Sequence, residues 1–446
     1  MKQVNLLTDS PRRLFFHYLG PTIGSSMVTS IYILADTIMV GQGVGDAGLA
    51  ALTIFMPIVA SLFALGLLLG VGGGVLMSVA KGSGNESLAH KYFSTAMISA
   101  AVVSVCFAVF GAIFFDPMMY ALGADTTNIE LVRGYGLCYT VSAPLFIFSS
   151  SLQSFIRNDK SPRHAMIAVL TGSGLNILLD YLFIFVFKMG MFGASFATSI
   201  GTSITVCILV IHFFTKKNTM RFSFRFFSIK ALWEIAKCGF SSFLIECANA
   251  VLVFVFNHTL LKYIGSVGVT VYSIMSNVAV VCMSLFNGVT LAAQPIIATN
   301  HGADNHKRVL QVRHIGTITS SVIAVIIFCV GFFFPDLLIY SYVKGPTPEI
   351  LELARYALRI YFFAYLFMNF NIFFSGYFQS TLRPVAAITI QILRSLLLSS
   401  VLVSVLPMIF GADAIWYAVP ITECITFFVA MAFLFFGRFK KTKDAK

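Results

Sequence analysis

The chain is built from long apolar runs, each of which is long enough to cross a membrane as a helix. An α-helix rises about 1.5 Å per residue, so roughly 20 apolar residues span a hydrocarbon core of about 30 Å. The sequence predicts twelve spans, at about 14–40, 51–79, 92–115, 131–156, 165–187, 191–214, 234–261, 267–298, 314–335, 350–380, 384–407 and 413–436. We therefore expect an all-α polytopic membrane protein with twelve transmembrane helices.

Composition agrees with this class and argues against several others. Hydrophobic residues make up 58% of the chain and charged residues 11%. The formal net charge of +12 does not indicate a nucleic-acid partner, because the cations cluster between the spans. No GxxxxGK[ST], GxSxG or HExxH motif is present, and the eight cysteines stand singly in apolar runs. We therefore expect neither an enzyme nor direct ATP drive, no cofactor, and no removable signal peptide.

Lys and Arg are distributed unevenly between the two sets of loops. One set, together with both ends of the chain, holds most of them, including the basic connection 216–230. Cation-rich loops usually face the cytoplasm, so both termini are expected there, with the protein in the plasma membrane. The connection is interpreted as a linker between two halves, although a basic stretch of this kind can also bind anionic lipid.

The two halves of the chain repeat each other. Several motifs recur at offsets of 220 to 222 residues: Ala80–Asn85 with Asn300–Asn305, Gly45 with Gly265, Gly123 with Gly345, Arg133 with Arg355, and Pro162 with Pro384. Six spans per half make the repeats parallel, with a central cavity between them. The sequence thus predicts an N-lobe (1–214), a linker (215–233), a C-lobe (234–436) and a basic cytoplasmic tail (437–446).

Asp36 is an acidic residue inside the first apolar run. No Lys or Arg lies between Arg13 and Lys81 to pair with it in sequence. An ionisable side chain at such a depth costs roughly 2.5–3.5 kcal/mol on insertion scales and usually faces a bundle interior or a wet cavity used by ions or substrates. The alternative is a solvated aspartate near the membrane interface, because Gly41 and Gly43 mark the end of the span.

Polar side chains on other N-lobe spans complete a candidate cation site. Asn176 and Asp180 are four residues apart on one helical face, and Thr198 lies on a polar face of the sixth span. With Asp36 they offer the oxygen ligands that a small cation prefers, and two nearby carboxylates also favour proton binding. The alternative is that the Asn and Thr side chains only hydrogen-bond one helix to another.

The C-lobe does not repeat this set. The positions equivalent to Asn176 and Asp180 are Leu398 and Leu402, so the cation site is expected in one lobe only. Glu246 in the seventh span is a candidate for binding a cationic substrate or a second proton. Its alternative is an intramembrane ion pair with Arg394.

Further polar residues could line the central cavity or bend its helices. Glu423 in the twelfth span is a weaker acidic candidate. The tentative substrate-binding residues are Tyr32, Gln153, Glu246, Asn249, Asn277, Tyr365 and Asn369. Each of the polar ones has an alternative role in helix packing. Pro21 removes a backbone hydrogen bond in the first span, and a bend there would move Asp36.

At these motifs the chain resembles the MATE family, the multidrug and toxic compound extrusion transporters, and in particular its bacterial MepA-type exporters. The resemblance covers essentially the whole chain. It is carried by ADTIMVGQGVGDAGLAAL, by the KGSGN and HGADN pair, by QSFIRNDKSPR and by NILLDYLFIF. The family implies exchange of drugs for H⁺ or Na⁺ through a central cavity.

The resemblance also implies roles for single residues. Asp36, Asn176, Asp180 and Thr198 fall where the family's N-lobe cation site lies, so Na⁺ or H⁺ would bind there. Pro21 matches a first-helix proline linked to bending, and Glu246 matches an acidic residue prominent in other branches. The C-lobe aspartate of the sodium-coupled branch has no counterpart on the tenth span, which argues against a C-lobe sodium site.

We expect a monomeric, secondary active exporter of amphipathic, cationic aromatic drugs or dyes, with membrane lipid as its other partner. The first rival is a flippase for lipid-linked precursors with the same fold, which predicts a more basic cavity than Arg394 alone provides. The second is a channel or receptor, which does not need two lobes in register. A membrane enzyme has least support, because no nucleophile and base pair is visible.

Overall fold

The computed structural model describes residues 4–343 and 345–443. Within these ranges the chain is helical throughout and contains no strand. The helices are α1 (Pro11–Gly43), α2 (Asp46–Gly82), α3 (Glu86–Ile113), α4 (Phe115–Ala121), α5 (Ile129–Val141), α6 (Ala143–Asn158), α7 (Pro162–Asp180), α8 (Gly190–Ile211), α9 (Ile229–Tyr263), α10 (Ser266–Gly302), α11 (His306–Phe333), α12 (Pro335–Tyr342), α13 (Pro348–Phe362), α14 (Tyr365–Ser380), α15 (Pro384–Ile392), α16 (Leu398–Phe410) and α17 (Ala418–Lys443).

The helices match the predicted membrane spans closely. In the described part of the chain, ten helical segments are long and apolar enough to cross a membrane, or up to twelve if each of two bent pairs is one span. The bent pairs are α5 with α6, at 53°, and α13 with α14, at 45°. Pro144 occupies the first turn of α6, where its missing amide hydrogen and fixed φ are tolerated. The prediction of an all-α polytopic protein is confirmed.

The internal repeat is present in the backbone as well as in the sequence. Gly45 and Gly265 precede α2 and α10 with φ of 87° and 86°, a region that glycine adopts without steric cost. Asn85 and Asn305 cap α3 and α11, and each side chain accepts a hydrogen bond from a backbone amide three residues later. Equivalent turns therefore use equivalent chemistry in both halves.

Each half of the chain also contains an equivalent ion pair between an arginine and an aspartate. Arg133 contacts Asp116 at 2.6 Å, and Arg355 contacts Asp336 at 2.5 Å. Each pair ties the span that follows to a short helix, α4 in the first half and α12 in the second. These short helices were not predicted, because each is too brief to give a span-length apolar run.

Two π-helical turns interrupt the spans at inequivalent places. One, Tyr181–Val186, follows Asp180 directly, and the other, Leu393–Leu397, contains Arg394. A π turn shifts the register of the side chains that follow it and is often found at functional sites. The repeat thus breaks where the ionisable residues of the two lobes differ.

The two halves contact each other on the side of the protein that carries the turns after α2 and α10. We call this the basic side; it also carries the connection 212–228. The start of α9 contributes Ala231, Ile235 and Cys238 to the buried cluster of the first half. The start of α1 contributes Leu14 and Phe15 to a buried cluster of the second half. Each lobe therefore covers the other near the basic side.

Glycines allow these helices to approach at backbone distance. A Cβ on Gly239 of α9 would lie 2.0 Å from the carbonyl oxygen of Leu68, and one on Gly302 of α10 would lie 2.0 Å from that of Val79. Tyr92 of α3 also donates a hydrogen bond to Glu234 of α9 at 2.5 Å. The lobes are thus tightly packed on the basic side. The end of the predicted basic tail, 444–446, lies outside the described residues.

Candidate functional site

Two buried carboxylates form the centre of the candidate cation site. Asp36 of α1 is 8% exposed and Asp180, the last residue of α7, is fully buried. Oδ1 of Asp36 and both carboxylate oxygens of Asp180 have no hydrogen-bond partner. The two residues are close enough to interact electrostatically. No ion pair within the described residues includes either of them. This placement disagrees with a solvated aspartate at the interface.

Asn176 and Thr198 adjoin the carboxylates. Asn176 of α7 donates a hydrogen bond from Nδ2 to Oγ1 of Thr198 in α8 at 3.3 Å, and Thr198 in turn donates to the carbonyl of Ala194 at 3.0 Å. The amide oxygen of Asn176 has no partner. Buried polar atoms are almost always satisfied, so these unpaired oxygens fit a bound cation or protonated carboxyls. A small hard cation prefers such oxygen ligands.

Three tyrosines lie near Asp36, two of which the sequence did not single out. Tyr135 and Tyr139 are successive turns of α5, 3% and 2% exposed, and both interact electrostatically with Asp36. Tyr32, one turn before Asp36 on α1, does the same. The four-residue spacing of Tyr135 and Tyr139 indicates that they share one face of a helix. The spacing could not show that this face lies near Asp36 of α1.

A central cavity of about 480 Å³ lies between the lobes. Four of the tentative substrate-binding residues line it: Tyr32, Gln153, Glu246 and Asn249. Asn176 and Thr198 also line it, so the cation site and the cavity share a wall. Further polar residues from α1, α6, α9 and α10 line the cavity, among them Ser25, Ser149, Ser242 and Asn287.

Three tentative substrate residues have different surroundings. Asn277, Tyr365 and Asn369 are not among the described residues that line the cavity. Tyr365 is fully buried, with its ring against Phe362 and Tyr361. Asn369 is 1% exposed and donates to the carbonyls of Tyr365 and Leu366 in its own helix. The helix-packing alternative describes both Tyr365 and Asn369 in this structure.

The alternative role for Glu246, an ion pair with Arg394, is wrong. Arg394 donates from Nη2 to Glu423 Oε1 at 2.8 Å, and the two side chains are 4% and 3% exposed. Asn371 donates to the same carboxylate at 2.7 Å. Glu423, the weaker acidic candidate, is therefore enclosed by an ion pair and does not face the cavity among the described residues. Glu246 faces the cavity instead.

Pro21 lies within α1, ten residues from the helix start. The next residue, Thr22, donates from its hydroxyl to the carbonyl of Gly288 in α10 at 2.7 Å. Ser25 donates to the carbonyl of Pro21 at 3.0 Å. The proline therefore lies where α1 contacts the second half, four turns from Asp36.

Comparisons with known proteins agree with this architecture. The MatE family model matches residues 21–182 and 238–405. The chain is 26% identical over 434 residues to the multidrug export protein MepA of Staphylococcus haemolyticus, covering 97% of this chain and 95% of that protein.

Two solved structures share the fold. One is an outward-facing multidrug resistance MATE transporter, with a TM-score of 0.92 at 21% identity, covering 99% of this chain and 98% of that one. The other is a transporter of the MOP superfamily from Pyrococcus furiosus, with a TM-score of 0.91 at 22% identity, covering 100% and 99%. The chain belongs to the MatE family of membrane transporters.

Proposed function

We propose that the protein is a secondary active multidrug exporter that exchanges amphipathic compounds for H⁺ or Na⁺ by alternating access. The observation that carries the proposal is the pair of buried carboxylates with unpaired oxygens beside a polar cavity. Relatives named as multidrug export proteins, similar over 97% of this chain, support the substrate class.

The coupling ion binds at Asp36 and Asp180, with Asn176 and Thr198 completing the site. Because Asn176 and Thr198 also face the cavity, a change in the ion site reaches the substrate site through shared side chains. An ion that prefers one conformation shifts the population toward it by its difference in affinity. Ion entry from outside then favours substrate release, and ion discharge to the cytoplasm resets the cycle.

The conformation described here has its lobes packed on the basic side. The positive-inside bias makes that side cytoplasmic, so this is the outward-facing state, with both termini in the cytoplasm. The flippase alternative expects a basic cavity. Among the described residues the cavity lining carries one cation, Arg157, and one anion, Glu246, and its net charge does not favour a pyrophosphate.

The test uses purified protein in liposomes loaded with a fluorescent cationic dye. A pH gradient and a sodium gradient are imposed separately on wild type, on Asp36→Asn, and on Asp46→Asn, an exposed aspartate at the start of α2. We expect gradient-driven dye movement in wild type and Asp46→Asn and none in Asp36→Asn. Folded wild-type protein that moves no dye under either gradient would contradict the proposal.

A further inference from the structure

Arg157 lies in the wall of the central cavity, although it is only two residues from the turn that follows α6. It is 7% exposed and lines the cavity together with Gln153 one turn earlier. The predicted fourth span, 131–156, ends just before this arginine. The helix instead continues through Asn158 and directs the side chain inward.

The guanidinium of Arg157 has no anionic partner among the described residues. Nη2 donates one long hydrogen bond, 3.3 Å, to Ser154 Oγ, while Nε is buried and bonds nothing. The nearby carboxylate of Asp159 contacts Lys81 at 2.5 Å and His212 at 2.9 Å instead. A buried charge without a counter-charge is costly. An anionic hydrogen-bond acceptor beside Arg157 would therefore be stabilising.

A second donor lies near Arg157. The hydroxyl of Tyr18 on α1 is fully buried and has no partner. Tyr18 is close enough to Arg157 to interact with it electrostatically. A guanidinium whose Nε has no acceptor and a neighbouring phenol hydroxyl without a partner are suited to an oxyanion, because charge-assisted hydrogen bonds to oxyanions are the strong ones.

Arg157 and Glu246 lie at different depths in the cavity. Asn158 contacts Gly74 of α2, whereas Gly239 of α9 packs against Leu68 and Gly72, farther from the basic side. Glu246 is seven residues beyond Gly239 in the same direction, which is about two further helical turns. The cavity therefore offers an anion subsite near the basic side and a separate cation subsite.

We propose that Arg157, with Tyr18, binds an oxyanionic group of the transported compound, so that the exporter accepts amphipathic molecules bearing a carboxylate, sulfonate or phosphate as well as cations. This deepens the proposed function and rests on it. The alternative role for an arginine in the last turn of a helix is to interact with the terminal carbonyls. That role leaves the cavity exposure and the unpaired Nε unexplained.

The test compares two dyes that differ in one group: tetramethylrhodamine methyl ester, a cation, and its free acid, which adds a carboxylate. Binding is measured by fluorescence anisotropy to the full chain in phosphatidylcholine nanodiscs. We expect Arg157→Gln to weaken the free acid about tenfold or more and the ester by less than about twofold. Arg157→Lys should retain part of the preference for the acid, since it keeps the charge.

Glu246→Gln is the matched control and should weaken both dyes, because both carry the delocalised cation. Unaltered ester binding shows that each Arg157 variant is folded. The proposal is overturned if the ratio of acid to ester affinity is the same in Arg157→Gln as in wild type, or if Gln and Lys both abolish binding of both dyes. These ratios are read without a gradient, so a failure of ion coupling would leave them intact.

A second arm identifies the source of the oxyanion. Nanodiscs containing phosphatidylglycerol are compared with the neutral ones. Competition with the free acid that depends on Arg157 would assign a lipid head group to the same site, and its absence would assign the site to soluble compounds. This arm is read once the ratio of acid to ester affinity has fallen in Arg157→Gln, so that either result then names the source of an oxyanion bound at Arg157.

Discussion

Arg394 and Glu423 form an enclosed ion pair in the C-lobe, supported by Asn371. The C-lobe thus holds a buried carboxylate whose counter-charge is a guanidinium of the same lobe, while Asp36 and Asp180 of the N-lobe have no cationic partner among the described residues. This difference gives a physical reason for expecting ion coupling in one lobe only. The sequence suggested Glu246 as the partner of Arg394. The choice depends on the rotation of α9 and α17 about their axes, which residue spacing along one helix does not report.

Removing one member of this pair should destabilise the fold. Glu423→Leu leaves the guanidinium of Arg394 buried without a counter-charge, a change that costs about 3–5 kcal/mol in proteins. We expect a clear fall in the melting temperature of the detergent-solubilised protein. The double variant Arg394→Leu with Glu423→Leu should recover most of the loss, because no buried charge remains. A single variant as stable as wild type would contradict the enclosed pair.

Asp159 forms a second buried network, in the turn between α6 and α7. Its carboxylate contacts Lys81 at 2.5 Å and His212 at 2.9 Å and accepts from the backbone amide of Thr219 at 3.0 Å. Burial raises the pKa of this carboxyl, but the bonds to His212, Lys81 and Thr219 outweigh it and lower the pKa to about 2. The turn is thereby tied to the end of α2 and to the connection that leads to the second half.

Asp159→Asn should therefore lower stability at neutral pH. A carboxyl whose pKa falls on folding stabilises the folded state above its unfolded value of 3.8 and loses that contribution as the pH falls through about 2. At pH 7 the contribution is complete, about 2 kcal/mol. The measurement is thermal unfolding at pH 7, with the exposed Glu130→Gln as control. Equal melting temperatures for Asp159→Asn and wild type would contradict the network's role.

The helices themselves were largely predictable, because apolar length reports membrane crossing directly. The bends between α5 and α6 and between α13 and α14 were not, since hydropathy carries no information on backbone angles. The residues Asp36, Asn176 and Thr198 were predictable as polar side chains on apolar helices. Tyr135 and Tyr139 were missed because tyrosine also fits ordinary packing, and their role depends on which helix they face.

Close helix approach on the basic side depends on glycine. Gly239→Ala places a Cβ against the carbonyl of Leu68, so α9 and α2 must separate. We expect the population to shift away from the conformation packed on the basic side. Spin labels at positions 87 and 307, which are exposed and equivalent in α3 and α11, report this as a longer mean distance. Gly174→Ala, where a Cβ meets nothing within 4 Å, is the control and should leave the distance unchanged.

Pro21 lies inside α1 and is a candidate bending point of this helix. Pro21→Ala restores an amide donor inside the helix and stiffens it. If bending at this point carries Asp36 between states, we expect a lower transport rate in liposomes with dye affinity retained. An unchanged rate would remove Pro21 from the mechanism.

At the scale of the whole molecule, two repeated lobes differ in charge. The repeat supplies matched turns, caps and the paired surfaces that meet on the basic side, and under the proposed function the difference in charge supplies one site for the coupling ion. The lobes share a cavity whose wall includes Asn176 and Thr198 of the cation site. Ion and substrate binding are then linked, and by thermodynamic necessity each changes the affinity of the other by the same factor.

The linkage between ion binding and substrate binding is tested most directly by equilibrium binding. The affinity for tetramethylrhodamine methyl ester is measured in nanodiscs over a range of pH and, separately, of sodium concentration. We expect the coupling ion to weaken dye binding about fivefold or more in wild type and in Asp46→Asn, and to have no effect in Asp36→Asn. Dye affinity that is independent of both ions in wild type, or an ion dependence that persists undiminished in Asp36→Asn, would contradict coupling through this site.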